Sequence, residues 1–174
     1  MKNEKKKIRV VQEYQKDNVF NIMTKFAESF HNEYISNADN RKNYAEKIVN
    51  EGTFLSAYYE DTVVGFICGY ANDLKTRCAY ISFFGIDSNI GLLNGLVMKE
   101  LIVAGVSYAK SLGMEKMRLE VYKSNKHAYR LYKKFGFANA GEASEHTIYM
   151  EMPFSKFDML CQTWERKDRN TIER

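Results

Sequence analysis

Tyr132 carries a hydroxyl that the packing pattern around it does not use. It lies in LEVYKSNKHAYRLYKKFGF, Leu119 to Phe137, which reads as a strand, a sharp stop and a helix ending on glycine. Asn125 suits the helix N-cap, because its amide oxygen can accept an orphan backbone N–H of the first turn. Gly136 suits the position just past the helix, where positive φ is cheap. Ala128, Leu131 and Phe135 recur at spacings of three and four, the mark of a buried face. Tyr132 stands beside that stripe, and its hydroxyl needs a partner if buried. A phenol with a reference pKa near ~10 stays protonated at neutral pH and can donate. Two carboxylates could receive a proton: Asp87, which ends RCAYISFFGID, and Glu120, within RLEVY. Their plainer readings are a strand-end turn residue and a partner for Arg118 or a lysine.

The elements that must position these groups follow from periodicity. IRVVQEY (Ile8 to Tyr14) has strand composition. In KDNVFNIMTKFAESF, Val19, Ile22, Met23, Phe26 and Phe30 form a helical stripe behind a capping Asp17 or Asn18. Asn40 to Gly52 predicts a second helix. TFLSAYYED and TVVGFICGYAND are apolar runs joined at Glu60-Asp61, a hairpin signal. Arg77 to Asp87 makes a third strand in a row, and a long helical pattern spans Leu92 to Leu112 before Gly113. MEKMRLEVYK is a strand, and His146 to Phe154 closes the sheet with one strand or two. The order predicts an α/β (α+β) chain with a mixed sheet, antiparallel at the front and crossing over by helices behind.

At 174 residues, 45% hydrophobic, the chain suits one domain with a sizeable core. The expected layout is a disordered basic arm over 1–7, a domain over 8–154 and an extension over 155–174. That extension reads as a short helix on Phe157, Leu160, Cys161 and Trp164, then a loose tail. Cys68, Cys78 and Cys161 form no CxxC pair, and His31, His127 and His146 are scattered, so neither a disulfide framework nor a zinc site is expected. MKNEKKK has no apolar signal core behind it, and the apolar stretches read as too short for a membrane span, so a cytoplasmic location is expected. The net charge of +4 comes largely from that start. No basic stripe interleaves with aromatics, which argues against nucleic acid.

In its order of elements and in NKHAYRLYKKFGF, the chain resembles the GNAT superfamily of N-acetyltransferases. That stretch is similar to the family's Asn-x-x-Ala-x-x-Leu-Tyr-x-x-x-Gly-Phe segment, and YEDTVVGFICGYAND to its acidic-turn hairpin. The resemblance implies a GNAT-like mixed, mostly antiparallel sheet with a splayed parallel strand pair, flanked by helices. It implies acetyl-CoA as donor, its pantetheine arm lying between AYISFFGID and KMRLEVYK. Backbone groups near Ile86 would pair with the pantetheine amide, and an N–H of the same strand would polarise the thioester oxygen. Asn125 would contact the cofactor, and Tyr132 would point at its sulfur as general acid. Asp87 and Glu120 become candidate bases for an alkyl amine, which is mostly protonated at neutral pH. His31 and Glu33, after the first helix, fall where the family builds its acceptor pocket.

One motif departs from the family. Arg/Gln-x-x-Gly-x-Gly/Ala is expected at the start of the long helix, where exposed N–H groups bind pyrophosphate. This chain has DSNIGLLNGLVMKELI, with no arginine before Gly91 or Gly95. Counting forward from Ile86 puts Asn94, Gly95 and Leu96 in the turn, with Asn94 and Gly95 supplying the permissive conformations. Counting back from Gly113 puts the turn one to three residues later. The implied activity is acetyl transfer by direct attack of a small-molecule primary amine, in a monomer or homodimer. The alternatives are an amino-sugar nucleotide as acceptor, or a non-catalytic module that binds a ligand or protein.

Overall fold

Seven strands form one sheet in the computed structural model, which describes residues 8–29 and 33–172. The strands are β1 (Ile8–Gln12), β2 (Thr53–Tyr59), β3 (Thr62–Tyr70), β4 (Cys78–Ile86), β5 (Lys116–Tyr122), β6 (Ala138–Glu142) and β7 (Thr147–Pro153). Their spatial order is β1-β2-β3-β4-β5-β7-β6. Every neighbouring pair is antiparallel except β4 and β5, as expected for the mixed sheet. The helices are α1 (Lys16–Lys25), α2 (Glu33–Ser36), α3 (Ala38–Glu51), α4 (Asn94–Ser111), α5 (Lys126–Lys134) and α6 (Phe154–Ile172).

Two cores form on opposite faces of the sheet. On one face α4 buries Val97, Met98, Leu101, Ile102, Val106 and Ala109 against strand residues such as Ile67, Met117 and Leu119. Ser88–Ser111 has the length and mean hydropathy of a membrane span, 1.5 over its most apolar window, but the chain is kinked at Gly91 within it. Its apolar stripe is spent on the sheet, so it is a core helix. On the other face α1 and α3 bring Val19, Met23, Phe26 and Ile48 onto Phe54 and Phe66. The Phe54 and Phe66 rings stack with centroids 4.8 Å apart.

Several boundaries differ from expectation for local reasons. α1 starts at Lys16 with Gln15 as N-cap and no side-chain cap, so Asp17 lies in the first turn, where its charge favours the helix dipole. α1 stops at Lys25 and a 3-10 turn follows over Ala27–Ser29; Phe30 lies outside the described residues. Asn37 caps α3 by accepting the Asn40 N–H at 3.1 Å, which moves that start forward. The C-terminal segment is one helix to Ile172 instead of a short helix and tail. Its Phe157 and Trp164 pack edge-on, and Trp164 reaches Phe135 at 5.7 Å. The arm over 1–7 lies outside the described residues.

The feature that positions the site is an irregularity between β3 and β4. Cys68 faces Phe83 while Gly69 faces Ile81, so Ser82 is an extra residue on β4. A bulge of this kind bends a strand and increases its twist. β4 pairs with β5 only from Cys78↔Lys116 to Ile81↔Leu119, and the ladder stops at the bulge. Gly69 permits the close approach: a Cβ there would lie 1.9 Å from the Tyr80 carbonyl oxygen. Gly69→Ala should therefore lower stability by about 1–3 kcal/mol, the usual scale of overpacking. Urea denaturation checks this, and an unchanged midpoint would mean that the strands have room to part.

Candidate active site

Beyond Ile81 and Leu119 the two parallel strands diverge. Ser82–Ile86 of β4 and Glu120–Tyr122 of β5 have no ladder partner on the sides that face each other. Unpaired strand edges offer N–H and C=O groups in extended register, the arrangement that receives an added strand. The slot can take an extended chain bearing amides. Ile86 sits at its open end, half-buried, with β3 on its other side.

Past Ile86 the chain turns sharply. The Asp87 carboxylate accepts the Asn89 N–H at 2.9 Å and lies 3.5 Å from the Lys25 ammonium, while the Asp87 N–H donates to Val64. The Asn89 N–H, and then Lys25, hold this carboxyl below its ordinary range. A carboxylate so held is a poor base, and its geometry is that of a turn residue. It launches a 3-10 turn over Ser88–Leu93, within which Gly91 takes φ of 55°.

Asn94, Gly95 and Leu96 are the first turn of α4, in line with the count forward from Ile86. The permissive conformation, however, belongs to Gly91. Asn94 is right-handed helical at φ −49° and ψ −48°, and Gly95 is not among the positive-φ glycines. Leu93, the N-cap, supplies no side-chain acceptor. The Asn94 N–H is spent on the Gly91 carbonyl, while no side chain of the N-cap competes for the rest of the first turn. Space around Gly95 is also open, since a Cβ there meets nothing within 4 Å.

Asn125 caps α5, its side chain accepting the Ala128 N–H at 3.0 Å. About two turns later the half-buried Tyr132 ring packs edge-on against Phe137 at 5.8 Å. Its hydroxyl makes no hydrogen bond to a described residue, and burial pushes the phenol up to about 12.

Glu120 is the first β5 residue past the point of divergence. Thr147 donates to one of its oxygens, and the Tyr80 hydroxyl lies 3.5 Å from the other. Burial first, and then this carboxylate, raise Tyr80 to about 12, which keeps it a donor. Arg118 does not pair with Glu120; it reaches across to Glu151, the residue directly opposite on β7. Tyr80 and Thr147 were not singled out from the sequence, because only strand register brings them to Glu120. Glu33 opens α2, and His31 lies outside the described residues.

On the other side of the bulge, the Tyr44 hydroxyl of α3 lies 3.7 Å from the Cys68 thiol. Its ring meets Phe83 edge-on at 5.1 Å. The residue next to the bulge thereby packs on a helix.

The sequence pattern of the acetyltransferase (GNAT) family matches residues 16–137. None of the curated proteins compared with the chain matches it. Among solved structures, the PaiA N-acetyltransferase from Thermoplasma acidophilum, in complex with coenzyme A, is similar at 20% identity and a TM-score of 0.65. That likeness covers 83% of this chain and 99% of that one. Apo FdhC, a nucleotide-linked sugar GNAT, aligns at 16% identity and a TM-score of 0.72, over 92% of this chain and 94% of its own. A streptothricin acetyltransferase from Bacillus anthracis str. Ames, solved with acetyl coenzyme A, is 25% identical. Its TM-score is 0.54, over 62% of this chain and 66% of its own.

The Asp87 turn yields a pH-dependent expectation. With its folded pKa depressed, Asp87 stabilises the fold fully above the unfolded value near ~3.9, and loses that contribution as pH falls through the lower folded value. Asp87→Ala should cost about 1 kcal/mol at pH ~7, the usual worth of a cap, and less at pH ~3. Urea denaturation of both proteins at the two pH values tests this; an equal difference at both would show that the charge is not used.

Proposed function

Because the chain belongs to the acetyltransferase (GNAT) family, we propose that it transfers acetyl from acetyl-CoA to the primary amine of a small molecule by direct attack. The observation that carries this reading is the parting of β4 from β5 after Ile81 and Leu119. A slot with unpaired edges on both sides suits the two amides of a pantetheine arm, and Ile86 would pair with one of them. The first turn of α4 has no side-chain cap, and its Gly95 and Leu96 amides would meet the pyrophosphate beside Asn94, whose own N–H is held by the Gly91 carbonyl. Asn125 would contact the same molecule while capping α5. Acetyl-CoA, when bound, supplies an acyl group activated as a thioester.

The protein's own part is to orient the acceptor and handle two protons. Glu120 at the point where the strands part is the better placed carboxylate to take the amine proton, and its hydrogen bonds from Thr147 and Tyr80 fix its orientation. Asp87 is assigned to the turn. A β4 N–H beyond the bulge would donate to the thioester oxygen as it gains charge. Tyr132, raised to about 12, stays protonated through the working pH range and can donate to a thiolate of reference pKa near ~8.5.

Two of the similar structures are named for different acceptors, a nucleotide-linked sugar and streptothricin, so an amino-sugar nucleotide is the alternative within this activity. A non-catalytic binding module is the reading favoured by one observation: no cationic side chain stands in Ser88–Leu93. Calorimetric titration of acetyl-CoA followed by a panel of amines separates the two. Heat with coenzyme but no thiol released with any amine would support the module.

Two substitutions test the assignment. Tyr132→Phe keeps the ring and removes the proton, so kcat should fall by about 10²–10⁴ while coenzyme affinity changes little. Retention of more than about a third of wild-type kcat, with chemistry limiting turnover, would leave Tyr132 a packing residue and give its proton to water. Gly95→Val should leave the free fold intact, given the open space there, yet weaken coenzyme binding about tenfold, or ~1.4 kcal/mol. Unchanged affinity would move the phosphate site elsewhere.

A further inference from the structure

The face of β5 that carries Glu120 also carries Arg118 and Lys116, at alternate positions toward the start of the strand. Beside them lies a cleft of about 250 Å³ whose lining includes Thr76, Cys78, Tyr80, Lys116 and Arg118. The two cations share one carboxylate. Lys116 lies 3.0 Å from one oxygen of Glu151, and Arg118 donates to the other, through Nε at 2.7 Å and also through Nη2. Glu151 is 19% exposed, against 33% for Lys116 and 36% for Arg118, so the cations are the reachable members. The Arg118 guanidinium is further held over the Tyr149 ring at 4.7 Å.

One other carboxylate reaches the cleft. Asp73 lines the same cleft, but its carboxylate is engaged by its own turn: it accepts the Lys75 and Thr76 N–H groups and the Thr76 hydroxyl. The cleft therefore balances two fixed cations against two carboxylates, Glu151 half-buried and Asp73 tied to its turn, and keeps a surplus of donors on Lys116 and Arg118.

We propose that the acceptor carries an anionic group, carboxylate or phosphate, besides its amine. Lys116 and Arg118 bind that group in this cleft while the amine lies at Glu120. This rests on acetyl transfer at the slot and specifies its substrate class. Strand geometry sets the length of such a molecule. Same-face neighbours two and four residues from Glu120 lie ~7 and ~13 Å along the strand, so amine and anion should be separated by a distance in that range. Glu151 serves as a positioning residue that holds both cations in register before the acceptor arrives.

A molecular ruler tests this. The full chain is given acetyl-CoA and ω-amino carboxylates of increasing length, each matched by the n-alkylamine of the same length, and released thiol is measured. The carboxylates should have the higher kcat/KM, with an optimum where amine and carboxylate are ~7–13 Å apart. Lys116→Gln should raise KM for the best carboxylate about tenfold, the scale of one charge-assisted hydrogen bond, with kcat and the alkylamines unaffected. Lys116→Arg should restore it. ω-Aminoalkyl phosphates in the same series show which anion the site prefers, and preference for either over the alkylamine supports it.

Alkylamines that match or beat the anionic series at every length would overturn the proposal. So would a Lys116→Gln effect equal on both series. Calorimetry of the same acceptors, with coenzyme A present, keeps this separate from the activity. Lys116-dependent binding of the carboxylates without thiol release retains the anion site and removes acetyl transfer. Thiol release with alkylamines alone does the reverse, and no binding by either series overturns the site.

Discussion

One extra residue in β4 decides where the sheet stops being a sheet. Without Ser82, the parallel ladder begun at Cys78 and Lys116 would continue, and Phe84 and Ile86 would find partners on β5. With it, four positions pair and the rest separate. The bulge is held from both sides of β4. Gly69 lets the β3 backbone press against Tyr80, and Tyr44 of α3 packs edge-on against Phe83, the residue after the bulge. The helical layer on one face thus determines an opening that the opposite layer uses.

That opposite layer is assembled around the opening. α4 enters through the Asp87 turn and presents its uncapped end near the mouth of the slot, while α5 starts at Asn125, just beyond β5. α6 ties the two together: Trp164 packs against Phe135 at the end of α5, and the Lys99 ammonium of α4 stands over its ring at 5.3 Å. The C-terminal extension is in this sense part of the domain, because it fixes the spacing of the helices that border the slot.

How much of this the chain disclosed depends on how local each signal is. The cap, the glycine stop and Tyr132 lie within a dozen residues, and periodicity with cap chemistry places them directly. The order of strands and helices follows for the same reason. The Ser88–Leu93 turn was harder, since two glycines compete and the choice depends on Asp87 capping the turn. Asn94 and Gly95 drew attention as flexible types, yet only Gly91 takes the left-handed conformation. The setting of Glu120 could not be read at all. Tyr80 is forty residues away and Thr147 twenty-seven, and the Arg118–Glu151 pair is joined by strand register alone. Register is fixed by the whole hydrophobic pattern of a sheet, and no short window contains it.

The four-rung ladder between β4 and β5 also has a mechanical meaning. β1 to β4 form one plate and β5, β7 and β6 another, each continuously bonded within itself. The plates meet through Cys78 to Ile81 and Lys116 to Leu119, and through the helices laid across them. In hydrogen-exchange terms, amides within either plate belong to a cooperative unit, while those facing the slot are guarded by no carbonyl. A molecule lying in the slot would supply the missing acceptors and couple the plates, turning two units of exchange into one.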